Sequence, residues 1–98
     1  MSDAKKATKN DWLNINDDGS ATITLSRPLE VNGARLATLT MREPTVDDQL
    51  VTSDMKGSEA VKEVSFFANL CEVEPAAIRR LPIRDYVRLQ AAYAGFID

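Results

Sequence analysis

The order of residue patterns predicts an α+β fold: an N-terminal β-hairpin, with room for a third short strand, followed by three to four α-helices. Three observations carry this. Two β-prone runs, residues 22–25 and 36–41, flank Asn32-Gly33, the dipeptide best suited to a two-residue type I′ turn. After Pro44 the apolar spacing changes from two to near 3.6. Pro75 and Pro82 then divide the remaining helical pattern into pieces.

Residues 1–20 read as a flexible N-terminal tail, and residues 21–98 as a single domain. The opening MSDAKKATKND is polar and mixed in charge. Trp12, Leu13 and Ile15 follow, alternating with polar residues, and Asp17-Asp18-Gly19 marks a turn. WLNIN can therefore add a short strand to the hairpin edge, with Trp12 covering a small core. The competing reading is an arm whose Trp12 docks on a partner.

The hairpin carries a register conflict. With Asn32-Gly33 as the turn, Val31 faces Ala34 and Leu29 faces Leu36. Continued without interruption, the ladder sets Leu25 against Thr40 and Ile23 against Arg42, apolar against polar. One extra residue near Ser26-Arg27-Pro28 repairs this by pairing Leu25 with Leu39 and Ile23 with Met41. Pro28 has no donor and is tolerated at a bulge, so a bulge or break is expected there.

The first helix is expected near residues 46–55, opened by a capping box of Thr45 and Asp48, with Val46, Gln49, Leu50 and Met55 facing inward. Lys56-Gly57-Ser58 ends it, and Ser58 caps the second, residues 59–72. There Val61, Val64, Phe67, Ala68 and Cys71 form an amphipathic stripe, widened by Phe66 and Leu70. Pro75 starts a short helix over 75–81. The last helix covers 83–97, with apolar residues on more than one face and Arg79, Arg80, Arg84 and Arg88 largely opposite.

Ninety-eight residues with 44% hydrophobic content support one core. The net charge of −3 is spread evenly, residues 1–20, 21–57 and 58–98 each carrying one excess acid. No basic stripe exists for neutralising phosphates, which disfavours nucleic acid as a partner. The chain has no histidine, which removes the commonest general base and metal ligand. Its single cysteine, Cys71, lies in an apolar helical run and reads as a small buried hydrophobe. Neither a signal-peptide pattern nor a membrane-length apolar run is present, so a soluble cytoplasmic protein is expected.

Candidate chemistry is sparse. Asp47 and Asp48 are adjacent on a helix, about 100° apart, and cannot share a proton as a catalytic dyad does. They read as caps at the positive end of a helix dipole. Phosphate-loop, dinucleotide, zinc-protease and calcium-loop patterns do not occur. The expectation is a non-enzyme without catalytic, cofactor or metal residues.

Three segments, in order, resemble one family. They are ITLSRPLEVNG at 23–33, LATLTMREPT at 36–45 and LPIRDYVRLQAAYAGFI at 81–97, with a loosely matched helix at 60–70 and Pro75 between. Together they resemble the small tail assembly chaperones of Mu-like contractile-tailed phages and prophages, over residues 21–97. The resemblance implies a host-cytoplasmic helper absent from the mature virion. It would bind the tape measure protein and keep it soluble while the tail tube protein polymerises around it. It also implies a second, frameshifted longer form in many members, and no catalytic residues.

For such a partner surface the candidates are Phe66, Leu70, Tyr86, Tyr93 and Phe96, apolar residues in excess of one helix face. The competing reading is that all five fill the domain's own core. Two other functions stand beside the chaperone: a small structural tail component of tube or baseplate, and a regulator using residues 75–97 as a helix-turn-helix. The even acidic balance speaks against the last. A free hairpin edge would allow pairing with a second copy, as a dimer or ring.

Overall fold

The computed structural model describes residues 11–98, and the expected tail over residues 1–10 lies outside them. Three antiparallel strands come first: β1 (Leu13–Ile15), β2 (Ala21–Val31) and β3 (Ala34–Met41), in the order β1-β2-β3. Four helices follow: α1 (Val46–Ser53), α2 (Glu59–Cys71), α3 (Pro75–Arg79) and α4 (Ile83–Phe96). This is the α+β architecture expected from the sequence, with the third strand present.

Residues 13–15 therefore belong to the sheet rather than to a tail. Leu13 pairs with Ile23 and Ile15 with Ala21, and the Thr24 amide donates to the Trp12 carbonyl at 2.7 Å. Trp12 is half-buried against the core, with the Arg88 guanidinium 5.3 Å above its ring, a cation–π contact that ties the entering chain to α4.

The turn forms as its residues require, Asn32 at φ 51° and Gly33 at φ 84°. Val31 pairs with Ala34 and Leu29 with Leu36. Beyond the interruption, however, Thr24 pairs with Thr38, Ile23 with Leu39 and Ala21 with Met41. Residues 25–28 thus stand against Ala37 alone, so β2 carries three extra residues where one was expected. Side-chain alternation explains the difference: any odd insertion restores apolar-to-apolar facing, so the pattern dictates parity and not number. One face now carries Ala21, Ile23, Leu25, Leu39 and Met41, all buried. The other carries the cross-strand pairs Thr22–Thr40 and Thr24–Thr38.

Helices α2, α3 and α4 cover the buried face. Phe67, Leu70, Ile78 and Leu89 are fully buried there with Ile23 and Met41. Phe66 meets Tyr93 edge-on with centroids 5.2 Å apart, and Phe67 lies between Tyr86 and Tyr93 at 5.7 and 6.0 Å. Such tilted pairs suit the ring quadrupoles and join α2 to α4 through aromatic side chains. Cys71 is buried, and burial pushes its thiol up to about 12. It packs as a small hydrophobe and has no thiolate to offer at neutral pH.

The bulge positions α4. Three extra residues take the Ser26 amide out of the ladder, and the fully buried Asp85 carboxylate accepts from it at 2.9 Å and from the Ser26 hydroxyl at 3.1 Å. One turn later the Arg88 guanidinium donates to the Thr24 carbonyl at 2.6 Å. Arg80 reaches the Glu30 carbonyl on the far side of the bulge. The Ser26 amide freed by the bulge and the Thr24 and Glu30 carbonyls on either side of it are thus matched by side chains from the C-terminal helical segment.

Candidate functional site

Helix α1 is built the wrong way round for a core helix. Its residue nearest the core is Asp48, while Val46 and Leu50 are 76% and 60% exposed and Val51 and Met55 also face solvent. The expected inward set of Val46, Gln49, Leu50 and Met55 is therefore corrected, all four being exposed. Spacing alone puts these residues together, but a helix turns toward whichever face is held, and here that face is polar.

The hold is a cluster around one carboxylate. Asp48 accepts from Arg42 Nη1 at 2.8 Å and Nη2 at 2.9 Å, from the Thr45 amide at 2.9 Å, and from Asn69 Nδ2 of α2 at 3.3 Å. Thr45 completes the expected capping box. The bidentate Arg42 guanidinium holds the Asp48 carboxyl well below the usual carboxylate range, and the Asp48 carboxylate raises Arg42 in turn. Arg42 directly follows β3, and its amide donates to the Leu70 carbonyl of α2 at 3.0 Å. The MREPT wording at 41–45 thus folds into a joint that fastens α1 to the end of the sheet and to α2.

Beside the apolar face of α1 lies an open groove of about 470 Å³. Gln49, Thr52 and Ser53 of α1 form one wall, Glu59, Ala60, Lys62 and Glu63 of α2 the other, and Phe66, Phe67 and Tyr93 the floor. Glu63 is fixed from below, accepting from Tyr86 Oη at 2.5 Å and Gln90 Nε2 at 3.0 Å. Burial, followed by this bond to Glu63, raises the Tyr86 phenol above its ordinary range. Val61 stands partly exposed on α2. The groove is a half-apolar slot with a rim of both charges, suited to an amphipathic segment.

The five sequence candidates divide accordingly. Phe66 and Tyr93 come together at the groove floor. Leu70 is fully buried beside the end of the sheet, its carbonyl accepting from the Arg42 amide, where a partner cannot reach it. Tyr86 and Phe96 are half-buried and pack against the core. The exposed apolar residues that the spacing assigned inward, Val46 and Leu50 above all, form the more accessible surface. A sequence signal for them existed: a capping-box Asp48 shares the side of α1 opposite Val46 and Leu50.

Helix α4 also buries a carboxylate, and of its several apolar faces only one is covered. Asp85, Leu89 and Ala92 form its buried face, whereas Ile83, Val87 and Ile97 are exposed. Arg88 points to β2 rather than opposite the core, because it pairs with the Thr24 carbonyl.

Among the described residues no group of His, Cys, Asp and Glu is arranged to hold a metal ion, and no helix is long and apolar enough to cross a membrane. The model of a family described as phage tail assembly chaperone proteins, E, or 41 or 14, matches residues 22–98. Comparison with curated proteins and with solved structures finds no match.

Proposed function

The chain belongs to the phage tail assembly chaperones, and we propose that it binds helical segments of the tape measure protein and keeps them soluble until the tube forms. The observation that carries this reading is the inverted helix α1. A helix held by Asp48 and Arg42 with Val46 and Leu50 turned outward maintains apolar surface in water, at a cost in solubility that a helical partner would relieve. An amphipathic partner helix laid along α1 would cover Val46 and Leu50 and reach Phe66 and Tyr93 through the groove. Glu59, Lys62 and Glu63 on the rim would select its polar face.

The role is one of stoichiometric binding in the host cytoplasm, without a catalytic step and without a place in the finished virion. Co-expression with the tape measure protein tests it. Wild-type chain keeps the tape measure protein in the soluble fraction and co-purifies at a fixed ratio. The paired substitution Val46→Asp and Leu50→Asp abolishes both, while far-UV circular dichroism stays as in wild type. Detection of the protein in purified particles, with no rescue of the tape measure protein, would favour a structural tail component instead.

A further inference from the structure

The outward stripe of α4 is not used by the groove. Ile83, Val87, Gln90, Ala94 and Ile97 recur at alternating intervals of four and three, the spacing of a coiled-coil seam. Ile83 and Ile97 are among the most exposed large apolar side chains of the described residues and Val87 is half-exposed, although α4 packs firmly on β2 through its opposite face. The Gln90 amide leans aside to Glu63, and Ala91 and Ala94 are small, so the middle of the stripe admits close approach of another helix.

We propose that this face pairs two copies of the chain, α4 against α4, antiparallel about a two-fold axis. Charge selects this occupant and this direction. Arg84 flanks the N-terminal end of the stripe and Asp98 lies just past its C-terminal end. Both are exposed, and neither enters a salt bridge among the described residues. The antiparallel register that sets Val87 against Ile97 of the second copy sets Gln90 against Ala94 and puts the two-fold axis at the level of Ala92, with the exposed Ala91 of each copy flanking it. It also leaves Arg84 two positions, about 3 Å along the axis, from the level of Asp98 at each end of the pair, within reach of the guanidinium. The alternative antiparallel register, Val87 against Gln90, leaves both charges unmatched. A parallel pair would gather both Arg84 at one end and both Asp98 at the other, leaving neither opposite an unlike charge. The antiparallel pair also lays the negative C-terminal end of each helix near the positive N-terminal end of the other.

The seam runs over fourteen helical residues, about 21 Å at the usual helical rise. An interface of that length falls in the weak class, below about 1,200 Å² in total, so the dimer forms at micromolar to submillimolar concentration. The proposal does not depend on tape measure binding and is tested on the purified chain alone.

Sedimentation equilibrium over a wide concentration range reads it. Wild type shows a monomer–dimer equilibrium. Arg84→Asp and Asp98→Arg each weaken it about tenfold, because each introduces like-charge contacts at both ends. The double reversal returns the dissociation constant to within about threefold of wild type, an outcome that a general loss of folding cannot produce. A chain that stays monomeric at about 1 mM overturns the proposal. So does a dimer indifferent to the reversals, which would place pairing at a sheet edge, or one weakened by each reversal and not restored by the two together.

Discussion

Replacing Asp48 by alanine tests what holds α1 in its inverted position. The substitution removes the carboxylate that closes the capping box, a loss of about 1 kcal/mol. It also removes the bidentate ion pair with Arg42. That pair is partly wet, the Arg42 side chain being 38% exposed and that of Asp48 11%, so about 1 kcal/mol more is expected after solvent screening. Together these give about 2 kcal/mol, or about a thirtyfold increase in the opening of α1. Amide hydrogen exchange at Gln49, Leu50 and Val51 reads that opening directly, and urea denaturation read by circular dichroism gives the global stability. The pH dependence supplies a second test. Bonds from Arg42, then from Thr45, depress the folded-state Asp48 carboxyl below its unfolded value of about 3.9. The stabilisation is therefore fully present above that value and is lost as pH falls toward the lower, folded one. The difference between wild type and Asp48→Ala should be level from pH 7 to about 5.5 and shrink below about pH 4. Asp18, also depressed by its Ser20 hydrogen bonds, titrates in both proteins and cancels. A loss under about 0.5 kcal/mol at pH 7, or a difference that grows in acid, would refute the role given to Asp48.

Other substitutions probe the remaining joints. Asp85→Ala strands the Ser26 amide beside a buried void and should lower stability by about 3 kcal/mol in urea denaturation; Asp85→Asn, which keeps an acceptor, should cost less. Gly33→Ala should cost about 1 kcal/mol by the same assay from the positive φ alone, since its Cβ meets nothing within 4 Å. Cys71, buried and with its thiol pushed up to about 12, should resist a thiol reagent at pH 8 in the folded protein and react on denaturation.

The elements that were legible in the sequence are those set by local chemistry. Asn32-Gly33 made the turn, Thr45 and Ser58 capped helices, and Pro75 opened α3. The face of each helix was legible only where apolar residues decide it, as in α2. In α1 and α4 the inward positions belong to Asp48 and Asp85, whose partners Arg42 and Ser26 lie 6 and 59 residues away. Hydrophobic spacing counts a carboxylate as outward and so turns α1 the wrong way, while in α4 it leaves apolar residues on more than one face and does not choose between them. The bulge shows the same limit, since Ser26 is freed by a three-residue insertion that alternation cannot distinguish from one. Arg42 and Asp85 both stand within the family-like segments, and the structure gives each a positioning task. Of the five candidate partner residues, Phe66 and Tyr93 line the groove, where α2 and α4 meet edge-on through these two rings. Leu70 does not, because the end of β3 lies over it.

Site-specific photocrosslinking in cells making the tape measure protein shows whether that protein lies along the outward face of α1. A photoreactive residue placed at position 50, on the outward face of α1, should capture the tape measure protein. The same residue at position 83, at the foot of the α4 stripe, should not. Capture from position 83 alone, or from neither position while the tape measure protein remains soluble, would contradict the account.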